Sequence, residues 1–439
     1  MKKSMILLLL AFAQMQGAAQ QKVWTLSDCI NHALEHNITV RQSELNVEQR
    51  EIDLNTAQGR RLPGLSASGS ESLSFGRGLG ADNTYTNSNT SSTSFSLGMD
   101  VPVFQGLQIN KGVKMSRLDL NAALADLAKA KDDVSVSVAQ AYVQILYNQE
   151  LLKVARSQEK HDAMLLYQMT ERKKVGKASA ADVAAQQATL AQSKVSRTQA
   201  EANLNIAILD LTQLLELPSP EGFAVASPAT EDFATDLLMS PEAIYDQAVG
   251  IKPAVLSAEL ALDRAELAIE SAKGAFMPSI SMSAGLGSNY YTSSSMKYGN
   301  FAEQMRNNFS QYVGLSLNIP IFTRFSTRNN LRTAKLNREN QQLQVENVKK
   351  ALYKEIQQAY YNALNSQVKY QGSIEARNSA QEHYVLVEEK YLNGKAGIAD
   401  YNDAKNNFLR AESDLLRSRY ECLFQTSLLD FYRGEQIVM

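Results

Sequence analysis

Two short motifs in this sequence have the residue types and spacing of enzymatic sites. His32-Ala33-Leu34-Glu35-His36 has the H-x-x-E-H spacing of a zinc peptidase helix, in which both imidazoles would bind the metal. Such a site needs a third protein ligand, and His161 and His383 are the only other histidines of the chain. Gly76-Arg77-Gly78-Leu79-Gly80 is rich in glycine but lacks the Lys-Ser/Thr and the following helix of a phosphate-binding loop. We therefore predict no enzyme, no cofactor and no metal site.

A third candidate is a pair of carboxylates, Asp400 and Asp403, which follow Gly394. Residues three apart face the same side of a helix, so the two carboxylates together could attract cations or narrow an opening. A plainer interpretation is local, because acidic residues in the first turn of a helix interact favourably with its dipole. The spacing alone favours this local role.

The two cysteines, Cys29 and Cys422, are too few for a disulfide scaffold or a cysteine-based zinc site. They could pair with each other in an oxidising compartment. Nothing in the sequence fixes their separation, so both states remain open.

Composition argues against nucleic-acid binding and limits how the chain could cross a membrane. The chain has 439 residues, 44% hydrophobic and 21% charged, with a formal net charge of −2, whereas nucleic-acid binders usually carry a basic excess. No stretch after the N-terminal region approaches the roughly 18 consecutive apolar residues of a membrane-spanning helix. A protein of this sequence that crosses a membrane must therefore do so with strands.

The N-terminal residues have the pattern of a secretory signal. Lys2 and Lys3 give a positive start, Met5 to Phe12 are mostly apolar, and Gly17-Ala18-Ala19 supplies small residues for cleavage after Ala19. We predict that 1–19 is a signal peptide and that the mature chain is secreted.

The sequence contains the same module twice. Val101-Pro102-Val103-Phe104 matches Ile319-Pro320-Ile321-Phe322, and Gly176-Lys177-Ala178 matches Gly394-Lys395-Ala396, both at an offset of 218. Several matches in the same order predict a duplicated fold. The predicted organisation is a first repeat at 20–217, a linker at 218–250 and a second repeat at 251–439.

Each repeat is predicted to contain a long helical hairpin. No proline occurs in 103–217 or in 321–439, and proline breaks helices. From Leu120 to Ala155, nine of the eleven positions visited in steps of four and three are apolar, which favours coiled-coil packing. Glycines Gly176 and Gly394 mark the bends. We expect hairpins at about 104–217 and 321–436, with arms of about 70 residues, or roughly 100 Å.

Each repeat is also predicted to contain a β-hairpin, at about 65–102 and at about 279–320. Apolar and small polar residues alternate there in runs of about 9–11 residues, the length of a tilted membrane-spanning strand. A soluble sandwich is the alternative, but it needs more strands. Four strands leave two open edges, which cannot exist in lipid, so several chains would have to pool their hairpins. The sequence does not give the number of chains.

Taken together, these motifs resemble the TolC-type outer-membrane efflux proteins over essentially the whole mature chain. The residues that carry the resemblance occur in the family's order and spacing: Ala33-Leu34 with Asn37, Leu62-Pro63, Pro102 with Phe104, Val175-Gly176 with Asp182, Pro320 with Phe322, Tyr391 with Gly394, and Asp400 with Asp403.

The resemblance implies an α+β membrane protein with two internal repeats. Each protomer of a homotrimer would contribute four strands to a twelve-stranded β-barrel in the outer membrane. Long antiparallel coiled-coil helices would continue it as a periplasmic tunnel, with 218–250 at an equatorial belt. The expected partners are a periplasmic adaptor (membrane fusion) protein and an inner-membrane transporter, in efflux or type I secretion. A periplasmic coiled-coil adaptor or structural protein is the alternative.

The resemblance also implies roles for particular residues. Asp400 and Asp403 match the carboxylates that constrict the periplasmic tip, which reverses the preference for a local role. Asp182 and Lys395 would form a closing link, although the basic residue expected two positions after Gly394 is replaced by Ala396. The bends would dock the adaptor, through Val175, Gly176 and Lys177 in one repeat and Asn393, Gly394 and Lys395 in the other.

Overall fold

The computed structural model describes residues 23–79, 84–226, 238–294 and 296–437. The chain divides into two compact units. One comprises 46–124 and 257–346 and contains the large sheet, so we call it the sheet unit. The other comprises the remaining residues and is called the helical unit. The predicted signal peptide, 1–19, lies outside the described residues.

Eight of the nine described helices form four pairs, and the two members of each pair have the same length. The pairs have 11, 22, 67 and 35 residues. In chain order they are α1 (Leu26–His36), α2 (Ile38–Gly59), α3 (Gln108–Lys174), α4 (Ala180–Leu214), α5 (Pro241–Ile251), α6 (Pro253–Gly274), a short α7 (Phe301–Asn307), α8 (Ser326–Leu392) and α9 (Ile398–Tyr432). The chain therefore consists of two repeats, as its sequence predicts.

The arms of the long hairpins are unequal, which corrects one expectation. The outgoing helices α3 and α8 have 67 residues, close to the expected 70, but the return helices α4 and α9 have only 35. The bends lie beyond the middle of each proline-free stretch. After Gly176, about forty residues remain before Pro218 ends the first stretch.

Four strands form one antiparallel sheet in the order β2-β5-β7-β8. The strands in chain order are β1 (Val23–Trp24), β2 (Gly64–Ser74), β3 (Arg77–Leu79), β4 (Tyr85–Asn87), β5 (Thr90–Gln105), β6 (Ala224–Val225), β7 (Ser279–Ser293) and β8 (Ser310–Asn318). The central strands β5 and β7 have 16 and 15 residues, longer than predicted. Strand β5 continues past Pro102 through a register shift between Pro102 and Phe104. A bulge is one of the few places where a proline fits within a sheet.

The two faces of this sheet differ in polarity. Pairing across the strands places Leu65 opposite Met99, and Leu97 opposite Leu286, on one face. On the other face, Ser68 and Ser70 form hydrogen bonds of 2.7 Å with hydroxyls of β5. The apolar face is uncovered in the single chain, because Leu65 is 70% and Val313 77% exposed. Glu71 interrupts this face and accepts hydrogen bonds from Ser91 and Thr93.

The helical unit has its hydrophobic cores around the long helices. Cys29 and Ala33 of α1 pack with Val138 and Ile145 of α3 in the largest cluster. The second repeat copies this arrangement, since α5 packs on α8 through a further cluster that includes Ile356. Helix α5 lies in the segment that the sequence assigns to a linker. A two-stranded parallel pair, β1 with β6, brings the start of the described chain to this segment.

No helix in the described ranges is both long and apolar enough to cross a membrane.

Candidate functional site at the helical bends

The two bends have the same backbone geometry. After α3, the amides of Gly176 and Lys177 donate to the carbonyls of Lys173 and Arg172, at 3.0 and 2.8 Å. After α8, the amides at 394 and 395 form the same two bonds, with the same lengths. This is the Schellman ending, which needs a left-handed residue. The φ angles of Gly176 and Gly394 are +73° and +72°, a left-handed conformation that favours glycine at both positions.

The predicted docking residues are accessible at these bends. Val175 is 69% exposed, and Lys177, Asn393 and Lys395 are also exposed. An apolar side chain as open as Val175 is unremarkable by itself. The structure therefore places these residues where another protein can reach them.

Asp182 closes the N-terminus of α4. Its carboxylate accepts hydrogen bonds from the backbone amide and the hydroxyl of Ser179, at 2.9 and 2.8 Å, and Ser179 Oγ accepts from the amide of Asp182. This is a capping box. The amide of Ser179, followed by its hydroxyl, lowers the pKa of Asp182. The Asp182 carboxylate thus has a structural role within its own helix.

Asp400 has the corresponding position in the second repeat, but only half of the cap exists. Its carboxylate accepts a bond of 3.1 Å from the amide of Gly397, which has no side chain to return one. Asp403 lies three residues on and is exposed. Within the ranges that the structure describes, it makes neither a hydrogen bond nor an ion pair. Capping therefore accounts for Asp400 in part and leaves Asp403 unexplained.

Asp182 and Lys395 form no ion pair with each other in the described chain. Burial, and to a smaller extent the charge of the Asp182 carboxylate, raises the pKa of Tyr391. The Tyr391 hydroxyl is buried and has no hydrogen-bond partner among the described groups, while its ring stacks on Tyr401 at 4.9 Å. Tyr391 therefore has an unused hydrogen-bonding group near the second bend.

A buried ion pair joins α3 and α9 within the helical hairpins. Lys405 of α9 donates to both carboxylate oxygens of Asp162 of α3, at 2.9 and 2.7 Å. The side chains of Asp162 and Lys405 are 0% and 5% exposed. Ser193 of α4 and Gln158 also donate to this carboxylate. One charge pair therefore connects the helical hairpin of the first repeat with that of the second.

A second polar group lies beside this pair. His161 Nε2 is 2.7 Å from the Glu388 carboxylate and 3.0 Å from the hydroxyl of Tyr384, both on α8. The hydroxyl of Tyr401, on α9, lies 3.3 Å from the same nitrogen. Burial raises the pKa of both tyrosines, so both stay protonated. We give one name, the buried latch, to the cluster formed by Asp162, Ser193 and Lys405 together with His161, Tyr384, Glu388 and Tyr401.

The buried latch is absent from the sequence-based predictions, although the sequence contains a signal for it. Continued in the same steps of four and three past Ala155, the apolar stripe of α3 reaches Asp162. An acidic residue on a core-facing stripe needs a buried partner, because an unpaired charge is costly there. What the sequence does not contain is the identity of that partner, 243 residues away.

The enzymatic motifs have ordinary environments. The rings of His32 and His36 stack on each other at 4.1 Å, and His36 Nδ1 lies 3.0 Å from the carbonyl of His32. No group of three or more potential metal ligands was found among the described residues. Arg77–Leu79 forms β3, in a small hairpin with β4. Cys29 and Cys422 are both buried, and no disulfide joins them in the structure.

Comparison with known proteins gives consistent matches. The family model described as "Outer membrane efflux protein" matches residues 29–216 and 244–431. The outer membrane protein TolC of Escherichia coli (strain K12) is 25% identical over 358 residues, 79% of this chain and 71% of TolC. The probable efflux pump outer membrane protein TtgC of Pseudomonas putida (strain KT2440) is 24% identical over 418 residues, 93% of this chain and 82% of TtgC.

Solved structures share the fold. A membrane protein from Pseudomonas aeruginosa superposes with a TM-score of 0.77 at 20% identity, covering 93% of each chain. The outer membrane protein VceC from Vibrio cholerae gives a TM-score of 0.75 at 16% identity, covering 94% of this chain and 97% of VceC. At these identities the likeness is one of fold.

Proposed function

The chain belongs to the outer membrane efflux protein family and is an outer-membrane protein, and from this premise we propose that three copies of it form an export channel. Each copy contributes four strands to a twelve-stranded barrel, and its long helices form antiparallel coiled coils that extend into the periplasm as a tunnel. The observation that carries the proposal is the four-stranded sheet, which has an exposed apolar face and two unpaired edges.

The unpaired edges are the reason for several copies. Strands β2 and β8 lie at the ends of the sheet order, so one side of each lacks strand partners among the residues that the structure describes. In lipid every backbone N–H and C=O must be satisfied, and closed barrels begin at about eight strands. Pairing β2 of one copy with β8 of the next closes the barrel. The number three comes from the family resemblance.

Exposed apolar residues on the helices also favour assembly. On α8, Tyr361 and Val368 are each 63% exposed, and on α4 Val195 is 62% and Ile206 57% exposed. Leaving a large apolar side chain in water costs about 1.5–3 kcal/mol relative to burying it. Contacts between neighbouring copies would remove these side chains from water.

Asp400 and Asp403 form the proposed gate. A threefold axis would gather six carboxylates at the periplasmic tip, a narrow ring that attracts cations. The Asp400→Ala/Asp403→Ala variant is expected to show larger single-channel conductance in a planar bilayer and weaker block by multivalent cations. Asp414→Ala, on the exposed face of the same helix, is the matched control. Unchanged conductance in the double variant contradicts the gate.

Asp182 and Lys395 are the proposed closing link. In the described chain the Asp182 carboxylate is engaged by its cap, so the link requires Lys395 to approach a carboxylate that keeps free lone pairs. Lys395→Glu would place two carboxylates together and favour the open state. An open probability equal to that of the wild type would remove this pair from the gate.

The bends are the proposed docking surface for a periplasmic adaptor, which would connect the channel to an inner-membrane transporter in efflux or type I secretion. Their support is the exposure of the two equivalent turns. Photo-crosslinkers at Val175, Lys177, Asn393 and Lys395 are expected to capture the adaptor, whereas one at Lys153, exposed on α3, is not. A scan that captures the adaptor only from Lys153 would relocate the docking surface.

Cell fractionation tests the assembly itself. We expect a trimer in the outer-membrane fraction that migrates differently before and after boiling. Recovery as a soluble periplasmic protein would favour the coiled-coil adaptor instead.

A further inference from the structure

The four connections that join α2, α3, α6 and α8 to strands of the large sheet all lie at the same end of it, whereas α7 connects β7 to β8 at the other end. Gly64, at the start of β2, pairs with Asp100, near the end of β5. Ser279, at the start of β7, pairs both with Gln105 and with Asn318, the last residue of β8. The connecting segments therefore form one belt at this end of the sheet unit. We call it the junction belt and define it as 57–64, 101–118, 271–279 and 318–338.

The junction belt is strongly basic in a chain that is slightly acidic. The whole sequence has 44 Lys and Arg residues against 46 Asp and Glu residues. Within these bounds, which four acidic residues directly adjoin (Asp100, Asp119, Glu270 and Glu339), the belt has no Asp or Glu and eleven basic residues: Arg60, Arg61, Lys111, Lys114, Arg117, Lys273, Arg324, Arg328, Arg332, Lys335 and Arg338. Clustered basic residues of this kind attract anionic surfaces.

Some of these cations are paired with carboxylates on neighbouring helices. Lys111 donates to Glu270, and that contact, with the charge of Lys273, lowers the pKa of the Glu270 carboxyl. Arg338 lies 3.0 Å from Glu266. These pairs use the part of the belt that lies farther along the helices, away from the strands.

The cations nearest the strands have no carboxylate partner in the part of the chain that the structure describes. Arg60, Arg61, Arg324 and Arg328 are exposed, and none of them has an ion pair within the described residues. Among the described residues of the sheet strands, Asp100 is the only carboxylate at this end, and it lies on the polar face with Ser94 and Ser96.

Large apolar side chains lie between these arginines. Ile321 is 94%, Phe322 72%, Leu62 67% and Phe325 59% exposed. They continue the exposed apolar face of the sheet, where Leu317 is 61% exposed. Basic groups directly beside exposed aromatic and aliphatic ones are typical of surfaces at a membrane interface. There the lipid headgroups bind the basic groups, and the acyl tails surround the apolar ones.

The backbone fixes this arrangement in both repeats. Arg324 and Phe325 have φ angles of 50° and 65°, and their equivalents Gly106 and Leu107 have 56° and 64°. Left-handed conformations are unfavourable for residues other than glycine, and they persist where the surrounding structure imposes them. The first repeat has glycine at the first of these positions, whereas the second has an arginine.

We infer that the junction belt binds anionic phospholipid headgroups of the inner leaflet of the outer membrane. Arg60, Arg61, Arg324 and Arg328 contact the phosphates, and the apolar residues between them enter the acyl chains. The inference rests on the proposed function, because only a sheet that spans the membrane brings this end of the strands to that leaflet. Charge complementarity and continuity with the apolar face both favour this partner.

The lipid retained by the purified protein tests the inference. The detergent-solubilised trimer is equilibrated with phosphatidylethanolamine and phosphatidylglycerol at about 3:1, washed, and its bound lipids are quantified by mass spectrometry. One basic residue near an anionic surface changes binding about fivefold, so we expect phosphatidylglycerol to be enriched at least about threefold over the input. The enrichment should fall at high salt, because exposed charges are screened.

Neutralising variants assign the effect to the belt. Arg60→Gln, Arg61→Gln, Arg324→Gly and Arg328→Gln together should return the retained lipids to the input ratio. Glycine at 324 copies Gly106 and suits the left-handed backbone. A matched variant, Arg60→Lys/Arg61→Lys/Arg328→Lys, keeps the charge and should keep the enrichment. If the fourfold variant does not form trimers, Arg324→Gly/Arg328→Gln replaces it, with a smaller but measurable loss.

Conductance in a planar bilayer of neutral lipid separates the two proposals. Wild type and variant should both conduct, since the belt is not needed for a pore. A wild type that does not conduct overturns the proposed channel. A wild type that conducts but retains lipids at the input ratio overturns the belt, as does a neutralised variant that keeps the enrichment.

Discussion

Replacing Lys405 with methionine removes the cation that neutralises Asp162 and leaves a carboxylate that is 0% exposed with only neutral donors. Breaking a buried pair from one side typically costs about 3–5 kcal/mol, because the remaining charge stays desolvated. Ser193 and Gln158 still donate to the carboxylate, so we expect the lower end of this range. The loss should be confined to the packing of α9 against α3 and α4.

Hydrogen exchange measures this local loss directly, since amides near the latch exchange through local opening. A loss of about 3 kcal/mol corresponds to a fall in protection of roughly a hundredfold or more. We expect this fall in α9 around Tyr401 and Lys405 and in α3 around Asp162. Lys153→Met is the matched control, because Lys153 is 66% exposed in a surface pair that contributes about 0–1 kcal/mol.

A double variant distinguishes the ion pair from simple packing. Asp162→Leu with Lys405→Met removes both charges, and apolar replacement of a buried pair is often neutral or stabilising. Protection in the double variant should therefore exceed that in Lys405→Met alone. Two outcomes refute the reasoning: wild-type protection in Lys405→Met, or strictly additive losses in the double variant.

Three further predictions concern the bends, the cap and the thiols. Gly394→Ala should reduce protection at the second bend, because its φ of +72° strains any other residue by roughly 1–2 kcal/mol; Gly372→Ala, inside α8, should instead stabilise by about 0.5–1 kcal/mol. The pKa of Asp182 is lowered from its ordinary value of 3.8, so the cap is intact above that value and is lost as the pH falls through the lower pKa of the folded state. Hydrogen-exchange protection at the start of α4 should therefore fall only in that acidic range, and Asp182→Asn should abolish this pH dependence. A loss of protection between pH 7 and 5 would contradict the prediction. Cys29 and Cys422 should react with a maleimide only after unfolding, since both are buried and burial raises the pKa of the Cys422 thiol. Labelling of the native protein, or a disulfide on a non-reducing gel, would contradict this prediction.

Much of the fold could be predicted from short-range patterns in the sequence. Proline positions delimit the long helices, because a proline in a helix interior removes a hydrogen bond and clashes. Gly176 and Gly394 mark the turns, because the Schellman ending needs a left-handed residue. Alternation identifies the four strands, since successive side chains point to opposite faces. Each of these signals lies within a few residues of the feature that it predicts.

The lengths of the helices and strands, and the presence of the short elements, were harder to predict from the sequence. The return helices are half as long as expected, and β5 passes through Pro102, because a bulge accommodates the residue that would otherwise end the strand. The short helix α7 and the β3–β4 hairpin lie in segments that the pattern marks only as polar loops. Their order depends on tertiary partners, such as Gln304, which bonds with the backbone of Tyr291.

The sequence alone determined that this chain is a duplicated protein with two amphipathic hairpins, two long helical hairpins and carboxylates after each bend. It also contained the basic, acid-free composition of the junction belt. Only the tertiary structure decided that Asp162 and Lys405 face each other, that Asp182 is engaged in a cap, and that the four basic segments lie at one end of one sheet. The physical reason is distance along the chain: caps, turns and alternation are set by neighbouring residues, whereas a charge pair 243 residues apart exists only once both repeats have packed.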